Sequence, residues 1–316
     1  MRPHGEVQDT DGTWSLGRPQ MNLLTQHWSF DPFLLVLLLV AAVHFRGLRR
    51  MLTAVRRAGR PTRPWLGQAL LFWSSLLVVA LAVMSPIDYW SDHYLRAHVV
   101  QHILLTFIAP PLLVIGAPWI PLLGGLPRSV RGGFGRLAQR TKAGREGSGD
   151  ASALARVRHV LSRPMTSVVL FNATMIIWHL PGPFDLAARN QFVHIWLEHG
   201  SFFGFGVVLW LQMFGSRPLR PLLRAPLRVV SLIGSNAVMV AVAVTLVLFT
   251  KDAYPWYAIG HTAAQQAADQ QLGGAILWVC GEVIFLPATL YLVSQWLTED
   301  VDLRPPTYLQ RTNNVV

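Results

Sequence analysis

One cysteine, Cys280, stands in a chain of 316 residues. A single thiol excludes an internal disulfide and every metal or redox motif built on paired thiolates, and it leaves the redox compartment unreadable. Charge is also scarce: 14% of residues are charged and 52% are hydrophobic, too apolar a balance for a soluble surface. Acidic residues are the scarcer sign, with 16 Asp and Glu against 27 Lys and Arg. Neither a phosphate-binding glycine loop nor a GxSxG elbow occurs, which removes the usual nucleotide and serine-hydrolase signatures. No internal repeat of the transporter kind is evident. Residues 1–30 are polar and lack a basic stretch leading into an apolar core, so they do not read as a cleaved signal peptide.

What the chain has in abundance is long apolar runs. A bilayer core needs about 20 apolar residues per helix, and such segments recur at 29–46, 65–84, 94–116, 165–180, 191–214, 227–250 and 272–297. Their unbroken apolar character excludes β-barrel spans. The expectation is an all-α polytopic membrane helix bundle of seven transmembrane helices, with 165–180 the shortest. Asp31-Pro32, Arg63-Pro64, Arg163-Pro164 and Ala225-Pro226 put proline at helix starts, where its missing N–H costs nothing. The domain reading is a polar N-terminal tail over 1–28, a membrane domain over 29–297 and a C-terminal tail over 298–316.

The net charge of +11 is distributed unevenly. Arg46, Arg49, Arg50, Arg56, Arg57, Arg60 and Arg63 follow the first segment. A basic loop over 117–164 follows the third, and Arg217, Arg220, Arg224 and Arg228 follow the fifth. The alternate loops carry little beyond Asp88 and Asp92, Asp185 and Arg189, and Lys251 and Asp252. By the positive-inside rule the N-terminus lies outside and the C-terminus in the cytoplasm, as an odd number of spans requires. The basic residues thus read as topology signals and contacts to a lipid bilayer rather than as a nucleic-acid surface, so no nucleic-acid partner is expected.

With that topology, histidines gather in one leaflet. His98 and His102 fall in the first turns of the third segment, His179 ends the fourth, and His194 and His199 open the fifth. His27, His93 and His261 border them, whereas His44 and His159 lie toward the cytoplasm. His98 and His102, four apart, share a helix face, as do His194 and Glu198. His199 lies about 100° round a regular helix from Glu198, so the fifth segment should show two polar faces. Ionisable groups within a span normally face the bundle interior, where they pair or serve a site.

A lone membrane histidine is more often an interhelical hydrogen-bonder than a ligand, but five at one depth favour a metal or cofactor site, since imidazoles on facing helices are how bundles hold metals. The candidate ligands are His98, His102, His179, His194 and His199. Asp88, Asp92, Glu198, Asp269 and Gln270 are the neighbours placed to orient them. Met84 is the nearest soft donor proposed. Glu282, deep in the last segment near Cys280, reads equally as a proton relay or a structural hydrogen bond. Pro110-Pro111 should kink the third segment, Gly273-Gly274 should permit close helix contact, and Trp28, Trp90, Trp178 and Trp256 read as interfacial anchors. His194 to His199 is one residue too long for an inverted zinc-protease motif.

The blocks Ser85-Pro-Ile-Asp-Tyr-Trp-Ser-Asp-His-Tyr-Leu-Arg-Ala-His-Val-Val-Gln-His-Ile-Leu-Leu-Thr, Ala109-Pro-Pro-Leu-Leu, Trp178-His-Leu-Pro, His194 with Leu197-Glu-His, and Asp269-Gln-Gln-Leu-Gly-Gly resemble, in that order, the multi-spanning CtaG family of cytochrome c oxidase assembly factors. This is not the single-span copper chaperone that shares the name. The resemblance covers roughly residues 30 to 297. It implies a non-enzymatic protein of the bacterial inner membrane that helps copper reach the catalytic subunit of a haem-copper oxidase, from a donor the resemblance does not specify. It also implies that the family histidines fall on the five named above. From the residues alone, a haem-binding membrane cytochrome and a copper or other metal transporter stay open beside it.

Overall fold

The computed structural model describes residues 6–8, 14–16, 27–28, 33–133, 164–248 and 254–302. Most of the basic loop, the Asp31-Pro32 start, Lys251 with Asp252, and the residues after 302 lie outside the described residues. Near the N-terminus, Glu6–Gln8 pairs antiparallel with Trp14–Leu16. All other regular structure among the described residues is helical. Helix α1 spans Phe33–Arg57, α2 Arg63–Met84 and α3 Pro86–Ser91. Leu95–Ile103 (α4) runs through a π-helical turn, Leu104–Ile108, into Ala109–Gly116 (α5), and Trp119–Gly125 (α6) follows. Then come α7 (Pro164–Trp178) and α8 (Pro181–Arg189), followed by a π-helical turn, Val193–His199, that leads into α9 (Gly200–Phe214). Helix α10 (Ala225–Leu248), a short 3₁₀ turn (Pro255–Ala258) and α11 (Ala263–Asp302) complete the chain.

Among the described residues, four helical stretches are long and apolar enough to cross a membrane: Arg63–Met84, Leu95–Gly116, Ala225–Leu248 and Ala263–Thr298. A fifth arises if α7 and α8, bent by 76° at their junction, count as one broken span. The bend explains why the fourth apolar segment reads short. At 1.5 Å per residue α7 reaches only about 22 Å, less than the hydrocarbon thickness. Helix α1 and the helical run over 191–214 occupy the first and fifth apolar segments. Exposed apolar side chains form lipid-compatible stripes, as Val279, Val283, Leu286 and Leu290 do along α11, an area no soluble surface tolerates.

Helix starts follow the prolines: Pro64 opens α2 and Pro164 α7, and α10 begins at Ala225 beside Pro226. Pro110 acts differently from a simple kink. Lacking an N–H, it cannot bond the carbonyl four residues back, and the π turn just before it absorbs the mismatch. The freed Thr106 carbonyl accepts the Trp210 indole N–H at 3.4 Å, and the Ala109 carbonyl accepts the Ser75 hydroxyl at 2.7 Å. The main core lies between α4, α7, α9, α10 and α11, around Phe107, Phe171, Phe202, Trp210 and Phe285. Gly274 lets α11 press on α10: a Cβ there would meet the Ala243 carbonyl at 2.8 Å and Leu246 Cβ at 2.9 Å. Glycines also set α6 against α1, since a Cβ on Gly125 would collide with the Val43 carbonyl. The start of the 117–164 loop is therefore a packed helix.

Candidate metal centre

Two helix starts aim the histidines. The first backbone N–H of α4, on Leu95, donates to Asp269 Oδ2 at 2.6 Å, and Arg96 pairs with Oδ1 at 3.0 Å. This clamps the entry of α4 to α11 and fixes the direction in which His98 and His102 point, one turn apart and inward. Their rings lie 4.2 Å apart and both side chains are buried.

The fifth segment supplies the facing wall through its π turn. On a regular helix His194 and His199 would be about 140° apart around the axis. The wider π turn over Val193–His199 reduces that angle, bringing their rings to 4.1 Å. The two polar faces expected for this segment thus become one.

Glu198 sits at the centre and is fully buried. Its Oε2 accepts from His194 Nδ1 at 2.9 Å, while its Oε1 lies 3.5 Å from both His98 Nε2 and His102 Nε2. One donor atom each from His98, His194, Glu198 and His199 lies within 4.8 Å of all the others.

Tyr257, from the 3₁₀ turn, closes the nest from above. Its single hydroxyl proton goes to the Ser91 carbonyl at 2.7 Å, so its oxygen accepts from His98 Nδ1 at 3.1 Å. Burial pushes the Tyr257 phenol well above its ordinary range, which keeps it neutral. With the proton on Nδ1, a neutral His98 carries a lone pair on Nε2, aimed at a carboxylate oxygen. His194, donating from Nδ1, likewise keeps its Nε2 lone pair. Carboxylate, imidazole and free ring nitrogen in series is the arrangement that orients a metal-ligating histidine.

The chemistry of the donor set can be tested on its unpaired atoms. His98 Nε2, His102 Nε2, Glu198 Oε1 and both ring nitrogens of His199 are buried without a hydrogen-bond partner. Each such group costs about 1–3 kcal/mol if left unsatisfied, and here they converge. Lone pairs facing one another across 3.5 Å repel unless a proton or a metal ion lies between them. Ligand atoms bound to an ion at about 2.0–2.1 Å are about 3.4 Å apart in a tetrahedral set, so donor atoms within 4.8 Å of one another close on an ion by side-chain movements of up to about 1.4 Å. The residues fit a transition metal of the kind that takes nitrogen and oxygen donors.

The other expected site residues fall into distinct places. His179 borders the nest, with its ring 6.3 Å from that of His102; its Nδ1 bonds the Met175 carbonyl at 2.7 Å, and the Tyr254 hydroxyl donates to the His179 carbonyl at 2.8 Å. His102, His179, Thr106 and Met175 line a narrow crevice beside the nest, too tight to admit a water molecule. Asp88 accepts from Gln101 Nε2 at 2.7 Å, Asp92 is exposed, and Gln270 donates to the Leu246 carbonyl at 3.1 Å. Of the five proposed orienting residues, Glu198 reaches these imidazoles directly, and it does so as a central group. Tyr257 and Met175 were not singled out from sequence, and no local motif distinguishes them.

Outside the nest, His27 stacks on Tyr89 at 3.8 Å, His93 bonds the Tyr89 carbonyl at 2.9 Å, and His261 lies edge-on to Tyr94. His44 is buried against Phe72 near the other end of the bundle. Glu282 accepts from Asn236 Nδ2 at 3.0 Å, an interhelical hydrogen bond. Trp178 and Trp256 donate to Ser201 Oγ and the Asp92 carbonyl, and Trp90 is buried, so these indoles fix the outer loops rather than merely face lipid.

Fold and site together define a helical membrane protein enclosing a histidine and carboxylate nest. The chain belongs to the family of cytochrome c oxidase caa3 assembly factors (Caa3_CtaG), whose model matches residues 28–299. It is similar to uncharacterized protein Mb0105 of Mycobacterium bovis and uncharacterized protein MT0111 of Mycobacterium tuberculosis. Each is 25% identical over 283 residues, covering 86% of this chain and 40% of the relative. It is also similar to uncharacterized protein ML1998 of Mycobacterium leprae, 23% identical over 287 residues, with 86% and 40% covered. The chain thus spans about 40% of the length of these curated relatives. No solved structure matches it.

Proposed function

We propose that this chain is a seven-span bacterial inner-membrane protein, N-terminus outside and C-terminus in the cytoplasm, that holds copper in transit to the catalytic subunit of a haem-copper oxidase. It acts as a carrier and catalyses no reaction of its own. The observation that carries this reading is the convergence of unpaired buried donor atoms from His98, His102, Glu198 and His199. His98, His194, Glu198 and His199 are the proposed ligands, and His102 and His179 flank them on the side that faces Met175. Imidazole and carboxylate suit copper(II), whereas a thioether suits copper(I). The single set of imidazoles with Met175 beside it supports a site able to receive either state. The carboxylate and the phenol hold the rings in place, so the ion meets a preorganised donor set.

A haem-binding reading is less well supported by the packing. The rings of His98, His194 and His199 lie 4.1–6.3 Å from one another. The space beside them does not admit a water molecule, whereas ordinary cofactor pockets hold roughly 300–1,000 Å³. The test of function is oxidase composition in cells lacking the chain. Oxidase subunits synthesised at normal levels but depleted in copper support the proposal; normal copper content with the chain absent refutes it.

A further inference from the structure

At the opposite end of the bundle from the nest lies a cleft of about 1070 Å³. Its walls come from α2, α5, α9 and α11, and its mouth from the turn after α9. Trp210 to His199 is about 16 Å along the helix axis at 1.5 Å per residue, so the cleft is separate from the metal centre. Its depth is apolar and aromatic, with Trp210, Phe214, Ile284 and Tyr291 among the lining residues, and its rim carries Arg217 and Arg220. No carboxylate lines it among the described residues.

The rim is built rigidly. Ser216 donates to the Val114 carbonyl at 2.5 Å and accepts from Trp119 Nε1 at 2.7 Å, and its backbone pairs with that of Leu219. The turn carrying both arginines is thereby tied to the third span. Neither guanidinium has a hydrogen-bond or ion-pair partner among the described residues. Two unpaired guanidinium groups held over a greasy cleft at the basic end of a membrane bundle are complementary to a phosphate ester attached to acyl chains. A soluble anion would leave the aromatic walls unused, and a neutral lipid would leave both arginines unpaired.

We propose that this cleft binds one anionic phospholipid, its phosphate between Arg217 and Arg220 and an acyl chain along Trp210, Phe214, Ile284 and Tyr291. The occupant follows from charge complementarity at the rim and the apolar walls below it, and it does not depend on the copper reading.

The test is native mass spectrometry of the full, delipidated chain in detergent, with phosphatidylglycerol and phosphatidylcholine added at equal concentration. Phosphatidylglycerol is expected to bind preferentially, and Arg217→Gln with Arg220→Gln to weaken it about thirtyfold. Arg56→Gln with Arg57→Gln, at the same end of the bundle but outside the cleft, should leave it unchanged. Ile284→Trp, which fills the cleft and keeps both arginines, should also lower occupancy. Equal binding of the two lipids, a preference that survives the Arg217 and Arg220 changes, or an equal loss in the Arg56 and Arg57 variant overturns the proposal. So does displacement of phosphatidylglycerol by inorganic phosphate at millimolar concentration, since the acyl chains would then contribute nothing.

Discussion

Replacing Glu198 with glutamine separates a metal-binding carboxylate from a merely structural one. Its two oxygens serve three imidazoles, at 2.9, 3.5 and 3.5 Å. Glutamine keeps the shape but removes the charge and turns one oxygen into a donor. Glu198 Oε1 is a proposed ligand atom and its Oε2 orients His194, and loss of the orienting contact alone typically costs 10–100-fold in affinity. The metal-free protein should respond in the other direction. A fully buried carboxylate is expensive unless paired, so Glu198→Gln should leave the melting temperature of the stripped protein unchanged or raise it. Metal at about 100 times the wild-type Kd stabilises the wild type by about 2.7 kcal/mol, and a hundredfold weaker site by only about 0.4 kcal/mol. The assay is thermal unfolding in detergent with and without copper, together with competition against a chelator. A variant that keeps the full copper-induced stabilisation, or that is destabilised in the stripped state while its metal affinity stays intact, refutes the reasoning.

Tyr257→Phe removes the oxygen that holds the His98 proton on Nδ1, and about tenfold weaker metal binding is expected in the same competition assay; unchanged affinity would show that the tautomer is set elsewhere. Because the ligands bind metal only when deprotonated, copper retention by the purified protein should fall as pH is lowered from about 7.5 to about 5, followed by metal analysis after desalting at each pH. Gly274→Val places side-chain atoms against the Ala243 carbonyl and Leu246, so it should destabilise the bundle by about 1–3 kcal/mol, read as a lower melting temperature with the metal stoichiometry of the surviving folded protein unchanged.

Much of the bundle is legible in the chain because a membrane imposes one dominant rule, apolar length, and proline marks where helices begin. The fourth segment shows the limit of that rule. Hydropathy counts residues, but the 76° bend between Trp178 and Pro181 redirects the chain over the nest, and nothing in the composition of 165–180 sets that angle. The histidines were readable as a layer because depth follows from sequence position once orientation is fixed. Their grouping was not, since a regular helical period puts His194 and His199 on different sides and only the π turn brings them together. Glu198 was expected beside the site and stands in its middle for the same reason. Tyr257 was invisible because its contact with His98 joins residues 159 positions apart through a short turn that carries no periodic signal.

The most direct measurement is the copper content of the detergent-purified chain against that of a variant carrying His98→Ala and His199→Ala, one ligand from each wall of the nest, with folding of both checked by circular dichroism. The account predicts copper bound by the wild type and lost from a variant that remains helical. Equal copper in the two proteins would contradict it.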